Sequence, residues 1–502
     1  MNAKSESHTS LGWLSLAEAD YSGAEAHFRA ALALAPRDPE SLVGMAKVLR
    51  QRGLLRDAVL HCDAAIRSRS GYADAWLERG FVLASGGSMA AAKDCYLRVI
   101  ALDPAQPDAH AGLASIFARD GDSAQARSHA EQAFAADPGN AIASAALATI
   151  EIEAGQPATA RDLLEPLVAQ IDTPSADRIL LYGLLGDACS KLGAADAAYS
   201  AFAAAKADFA VLHAARYQGR EPHHQFIRSI TQDLERYEFV TSVRPEHPPL
   251  AATKHLFLLG YPRSGTTMVE NILASLPDVV ALEERPTLGD ADADFLALPG
   301  GLERFAMLDD AALQPYRAAY WQRVAQAGVA AQGRCFVDMD PLKATRLPLI
   351  ARLFPEARIM VMRRDPRDVV WSCFRTQFAL TNAALDFTTL ESTVRHYAAM
   401  MELIESAHER LSLNTHVIHY EALVRDFDSG TRAICAFAGL DWSEDMHQFA
   451  ATARQRGVAT ASASQVRKGL YDGSGQWRPY ARHLEPVLPI LAPWIEKFGY
   501  EA

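Results

Sequence analysis

No stretch of the chain is apolar for the length needed to cross a bilayer. The N-terminal run MNAKSESHTS is polar and lacks the apolar centre of a secretory signal, so a cytoplasmic location is expected. Cysteine is scarce. The six residues Cys62, Cys95, Cys189, Cys335, Cys373 and Cys435 lie far apart and form no CxxC pair. That scatter argues against a disulfide framework or a zinc knuckle and reads as reduced, buried thiols. An excess of positive charge is missing too: 49 Lys and Arg face 61 Asp and Glu, a net charge of -12. Broad nucleic-acid binding needs a basic face that displaces counterions, so that class of partner is excluded, as is a membrane. His223 and His224 stand together with no third ligand at metal spacing. They are expected to form a surface pair, and no metal centre is expected.

What the chain does have is length and periodicity. Its 502 residues exceed one ordinary core and imply two or three domains. Gly53, Gly87, Gly121 and Gly155 follow one another at intervals of 34 residues, each with an alanine five residues later: Ala58, Ala92, Ala126 and Ala160. Pro36, Pro104 and Pro138 keep the same period, as do the small residues Gly12, Ala46, Gly80, Ala114 and Ala148. Gly186 continues this last series after four inserted residues near Asp172–Ser175. The pattern predicts two helices per period, with small residues where backbones approach and Phe28, Tyr96 and Phe202 filling the groove one turn on. Glycine ends the first helix and proline punctuates the second.

This spacing resembles the tetratricopeptide repeat family over residues 5–212, about six repeats, although Ala130 takes the place of one aromatic. Each such repeat buries its apolar face only against its neighbours, so most repeated residues are core. The resemblance implies a concave surface for a peptide or protein partner, or for self-association as a homodimer. From Phe209 to Lys254 the pattern changes. The turn-rich segments GREPHHQ and RPEHPPL flank the helical pattern FIRSITQDLERYEF, so residues 213–252 read as a connecting helix and linker.

HLFLLG, YPRSGTT and MVENILASL then read as strand, loop and helix across residues 255–276. Backbone N–H groups at such a helix start converge on a phosphate. Gly260 and Gly265 have the spacing of a Walker A loop, yet Thr266 stands where its lysine belongs and the cation is Arg263, inside the loop. A nucleotide kinase needs that lysine and a magnesium-binding acid. The loop closely resembles the 5'-phosphosulfate loop of sulfotransferases that use 3'-phosphoadenylyl sulfate (PAPS). That resemblance implies donor contacts from Arg263, Ser264, Gly265, Thr266 and Thr267, with Arg263 also catalytic.

A second basic element agrees. In ARIMVMRRDPRDVVWSCF a buried strand ends at Arg363 and Arg364; Asp365 then caps a helix with Pro366 at its first position. Arginine and serine together grip phosphate. The interval from Arg364 to Ser372 resembles the 3'-phosphate motif of the same family. Further on, VRKGLYDGSGQW resembles its C-terminal loop, implying roles for Arg467, Lys468 and Gly469. VIHYEALVRD resembles the segment whose tyrosine meets adenine, here Tyr420. The resemblance covers residues 253–500 and implies an α/β P-loop-like domain over 253–502, with a mostly parallel sheet.

Sulfonate transfer to a hydroxyl or amine also needs a base. After LPDVVALEE, the position matching the glutamate of tyrosylprotein sulfotransferases and related bacterial enzymes is Glu284, with Glu283 before it. Two departures weaken the match. Met339 stands where the family commonly has a lysine, which implies either reduced activity or a shift of that task to Lys343, and Gln476 stands where a basic residue is common, with Arg478 the candidate substitute. The expected activity is that of a PAPS-dependent sulfotransferase whose acceptor, protein tyrosine or carbohydrate among others, is open. Two alternatives remain: a repeat-based binding protein that holds PAPS or its product without efficient turnover, and a P-loop kinase using Asp365 for magnesium.

Overall fold

The computed structural model describes residues 3–18, 20–239, 251–457, 460 and 462–501. The chain divides into two compact units, one ending at Asp208 and the other beginning at Phe209.

The first unit is a solenoid of helix pairs. Pro39–Gln51, Ala73–Ser85, Pro107–Asp120 and Ala141–Glu153 start 34 residues apart; so do their partners Leu55–Ser68, Met89–Leu102, Ser123–Ala136 and Pro157–Gln170. Asp38, Asp122 and Asn140 cap three of these helices by accepting the backbone N–H of Ser41, Gln125 and Ala143 at 3.0, 3.1 and 2.9 Å. Ala3–Ala17 pairs with Tyr21–Leu34 before them, and after them Ala176–Lys191 meets Ala195–Leu212 where a Cβ on Gly186 would come within 2.5 Å of the Phe202 ring. Residues 171–175 form the loop that absorbs the inserted residues. Backbones approach closely at the repeated small residues. A Cβ on Gly80 or Gly112 would come within 2.4 or 2.6 Å of the Tyr96 ring, and one on Gly12 or Gly44 equally close to Phe28. Where Ala130 replaces the aromatic, Ala114 and Ala146 close on it instead.

The second unit is built on five strands: β1 (Lys254–Leu259), β2 (Val279–Glu283), β3 (Cys335–Met339), β4 (Arg358–Arg363) and β5 (Asn414–His419). Their order is β2-β3-β1-β4-β5, and every pairing is parallel. Alternate residues enter opposite faces, as the period of a strand requires. Leu256, Leu258, Val337, Met339, Met360 and Met362 pack against the helices Thr266–Leu273, Phe427–Ala438 and Phe449–Arg456. His255, Phe257 and Phe336 meet Tyr320, Trp321 and Phe354 on the other face. Helices on both faces are what an all-parallel sheet needs to bury its strands. Among the described residues no helix is long and apolar enough to cross a membrane. All six cysteines are buried and free.

The linker differs from expectation at its histidines. His223 and His224 open the helix His223–Arg236 and are half-buried rather than a surface pair. The buried Asp386 accepts the backbone N–H of His223 at 2.8 Å and bonds the His224 ring, while His223 Nδ1 lies 2.9 Å from His396 Nε2. A buried carboxylate and histidine satisfy this pair where water was expected to. RPEHPPL lies outside the described residues.

Candidate active site

In an open parallel sheet the natural crevice lies at the carboxyl ends of strands where the order reverses. Here the chain moves from β1 to β2 and β3 on one side and to β4 and β5 on the other, so that point lies between β1 and β4. The loop of residues 260–265 leaves β1 there, and Arg363–Arg364 end β4 beside it.

The loop is tightly constrained. A Cβ on Gly260 would sit 2.9 Å from the Met362 carbonyl, and one on Gly265, at φ 106, would sit 2.8 Å from the Tyr420 ring. Arg263 itself holds the left-handed conformation at φ 70, unusual for a side-chain-bearing residue. Its guanidinium meets neutral oxygens: Ser372 Oγ at 3.0 Å, Ser462 Oγ at 2.6 Å and Gln465 Oε1 at 3.0 Å. Burial, with Arg375 and Arg364 nearby, pushes the Arg263 pKa down to about 10, which leaves it cationic at neutral pH.

Arg364 donates to the carbonyls of Arg263, at 3.0 Å, and of Gly473, and lies 4.7 Å from the centre of the Tyr420 ring. Arg364 Nε and Ser264 Oγ are buried with no hydrogen-bond partner among the described residues. Two orphaned polar groups beside a half-buried cation suit an anion, because each such group costs free energy until it is paired. Tyr420 donates its hydroxyl to the Tyr471 carbonyl and accepts from Gly473 N at 3.3 Å, pinning the C-terminal loop over the crevice. These contacts leave a narrow cleft between the phosphate loop, the end of β4 and the C-terminal loop.

Of the residues singled out in the sequence, Arg263, Gly265, Arg364, Tyr420 and Gly469 line this one cleft, and Ser372 touches it through Arg263. Thr266 and Thr267 are buried in the first turn of the helix Thr266–Leu273, with Thr267 Oγ1 3.1 Å from Thr460 Oγ1. Asp365 caps the helix Pro366–Arg375 by accepting from Arg367 N at 2.9 Å, and its carboxylate also pairs with the Arg367 guanidinium. The side chains of Arg467 and Lys468 are not part of the cleft lining; Lys468 is exposed, and the Arg467 carbonyl accepts from Arg454. Ser462 and Gln465, from the same stretch, stand beside Arg263. Sequence reasoning missed both, because an uncharged side chain in a loop carries no signal until its partner is known.

Glu284 follows β2 at the same end of the sheet, held at φ 43 with its N–H on the Met339 carbonyl at 2.7 Å. Its side chain is exposed, yet desolvation by the surrounding protein, with the nearby Asp340, Glu283 and Glu270, pushes its pKa up to about 7; Lys343 opposes them. Glu283 instead accepts the backbone N–H of Thr460 at 3.0 Å. Met339 is fully buried in the core. Lys343 is buried on Asp338, Thr287 Oγ1 and the Arg285 carbonyl, the last two at 3.1 Å. Gln476 joins Arg375 to the Tyr471 hydroxyl, whereas Arg478 lines a different cleft, behind residues 474–477.

Residues 255–444 match the sulfotransferase family. Tetratricopeptide repeats match residues 9–73, 43–107, 80–141 and 117–180. An uncharacterised protein of Aquifex aeolicus (strain VF5) is 28% identical over 308 residues, 58% of this chain and 39% of its own length. Protein-tyrosine sulfotransferase 1 of Danio rerio is 23% identical over 259 residues, 49% of this chain and 72% of that protein. Protein-tyrosine sulfotransferase 2 of Gallus gallus is 24% identical over 260 residues, 49% and 69% respectively. Among solved structures, a thermophilic tetratricopeptide repeat protein of Thermus thermophilus superposes with a TM-score of 0.33 at 19% identity, covering 36% of this chain and 98% of that one.

Proposed function

We propose that this chain, in which a sulfotransferase-family domain accompanies tetratricopeptide repeats, transfers a sulfonate group from PAPS to an acceptor hydroxyl. The observation that carries the reading is the half-buried Arg263, with the orphaned Ser264 Oγ and Arg364 Nε, at the switch point of a parallel sheet. PAPS, as co-substrate, would supply an activated sulfur. Arg263 and the N–H groups that open the helix Thr266–Leu273 stabilise negative charge arriving on the 5'-phosphate. Arg364 and Ser372 hold the 3'-phosphate, and Tyr420 backs the adenosine.

The acceptor oxygen bonds to sulfur as the bond from sulfur to the phosphate oxygen breaks, and the electron pair leaves with adenosine 3',5'-bisphosphate. Glu284 takes the acceptor proton. A carboxyl raised to about 7 is matched to proton transfer near neutral pH. The test is transfer of labelled sulfonate from PAPS, in the presence of a chelator, to phenols, sugars and peptides. Product that is lost with Glu284→Gln supports the reading. Glu284→Gln turning over at the parent rate would remove Glu284 from the mechanism.

Lys343 favours a second reading, a nucleotide-binding domain with weak turnover. All three of its donors are already engaged beside Met339, so it is not free to take over the role of the missing lysine. Tight product binding without transfer to any acceptor would support that reading over the first.

A further inference from the structure

A larger cleft, about 630 Å³, opens in the same unit. One wall is the segment that precedes the family match: Tyr217, Arg220, His223 and Phe226. The opposite walls come from segments downstream of strand ends. Asp292 and Leu296 follow β2 and Glu284; Arg346 follows β3; Asn382 follows the helix after β4. The Asp292 and Arg346 walls follow the carboxyl ends of β2 and β3, the end of such sheets at which ligands bind.

Two connections tie it to the reaction centre. The segment Pro341–Arg346 carries Lys343, whose charge is felt by Glu284, at one end, and Arg346 on the cleft wall at the other. His223 in the wall bonds His396 at 2.9 Å, and His396 Nδ1 lies 2.7 Å from the hydroxyl of Tyr261, inside the phosphate loop. These contacts run from the cleft wall to the phosphate loop and to the surroundings of Glu284.

The walls also specify chemistry. Tyr217, Phe226 and Leu296 offer an apolar slot, with Tyr217 fixed by its hydroxyl bond to the Thr381 carbonyl at 2.7 Å. Arg346 is paired with Asp292 at 3.0 Å, and the exposed Glu221 also lines the cleft beside Arg220. Arg220 is exposed and holds a neutral amide oxygen, Asn382 Oδ1, at a long 3.3 Å. A carboxylate would replace that contact with a stronger, charge-assisted one. We infer that this cleft is the acceptor site and takes a hydroxyl-bearing molecule with an apolar body and an anionic group. Its specificity is then set by Arg220 and Leu296, and one of these lies outside the family match. The inference rests on the proposed sulfonate transfer for its role, but not for its binding.

The test is calorimetric titration of the full chain, with and without adenosine 3',5'-bisphosphate, using 4-hydroxyphenylacetate, 4-ethylphenol and tyramine as probes. The anionic phenol should bind about tenfold tighter than tyramine. Arg220→Ala should erase that difference. Leu296→Trp should weaken all three probes about tenfold by filling the slot, with the bisphosphate affinity unchanged in both variants. Failure of all three probes to bind, a preference for tyramine, or affinities indifferent to both substitutions would each overturn the inference. A bisphosphate that fails to bind the parent chain counts against the donor reading alone, since the probes are also titrated without it.

Discussion

Glu284 owes its proton affinity to its surroundings, and that makes its role measurable. Its carboxyl is raised to about 7 by desolvation first and by Asp340 next. Only the deprotonated form accepts a proton, so the rate should fall about tenfold per pH unit below 7 and level off above it. Asp340→Asn keeps the cap on Leu342 N but removes a like charge, which favours the carboxylate and should move the acid limb to lower pH. An acid limb that stays put in this variant would show that Asp340 does not act on the base. Glu284→Gln should cost about 100-fold or more in turnover and leave nucleotide affinity nearly unchanged. At this scale the sequence was legible where a charge stood in a motif: Arg263, Arg364 and Tyr420 converge on one cleft. It was illegible where a residue acts through a distant partner. Ser462 and Gln465 lie 199 and 202 residues from Arg263, and nothing local marks them.

Elements were easier to read than contacts, because their signals are local. Asp365 and Pro366 announce a helix start, and the structure begins the helix at Pro366 with Asp365 as its cap. The repeat period was visible for the same reason, since each helix pair answers mainly to its neighbours. Packing at the small positions gives a prediction. Gly80→Ala would press a methyl group into the Tyr96 ring and should cost about 1–3 kcal/mol, seen as a lower thermal midpoint. Gly71→Ala meets nothing within 4 Å and should stay within about 0.5 kcal/mol of the parent. Equal midpoints for the two variants would contradict the packing described. At the end of β4, Arg364→Ala should weaken adenosine 3',5'-bisphosphate by about 1.5–3 kcal/mol, and an analogue without the 3'-phosphate far less. Equal losses for both ligands would show that Arg364 does not read the 3'-phosphate. The order β2-β3-β1-β4-β5 was not legible, because strand neighbours up to 102 residues apart, as Leu256 and Arg358 are, are chosen by burial on both faces and not by local pattern.

For the molecule as a whole, the architecture was legible because two independent signals, a period of 34 and a strand–loop–helix without the Walker lysine, lie in separate stretches. The linker histidines escaped this reading, since their partners Asp386 and His396 sit more than 150 residues further on. The central claim is that the crevice between β1 and β4 is a seat for a 3'-phosphorylated, sulfonate-donating nucleotide. One measurement addresses it: calorimetric titration of the full chain with adenosine 3',5'-bisphosphate in a chelator, beside adenosine 5'-phosphate, and with ATP plus magnesium. The account predicts that the bisphosphate binds without metal and about tenfold or more tighter than either competitor, as an added charge-assisted contact requires. Tighter binding of magnesium ATP, or no preference for the 3'-phosphate, would contradict it.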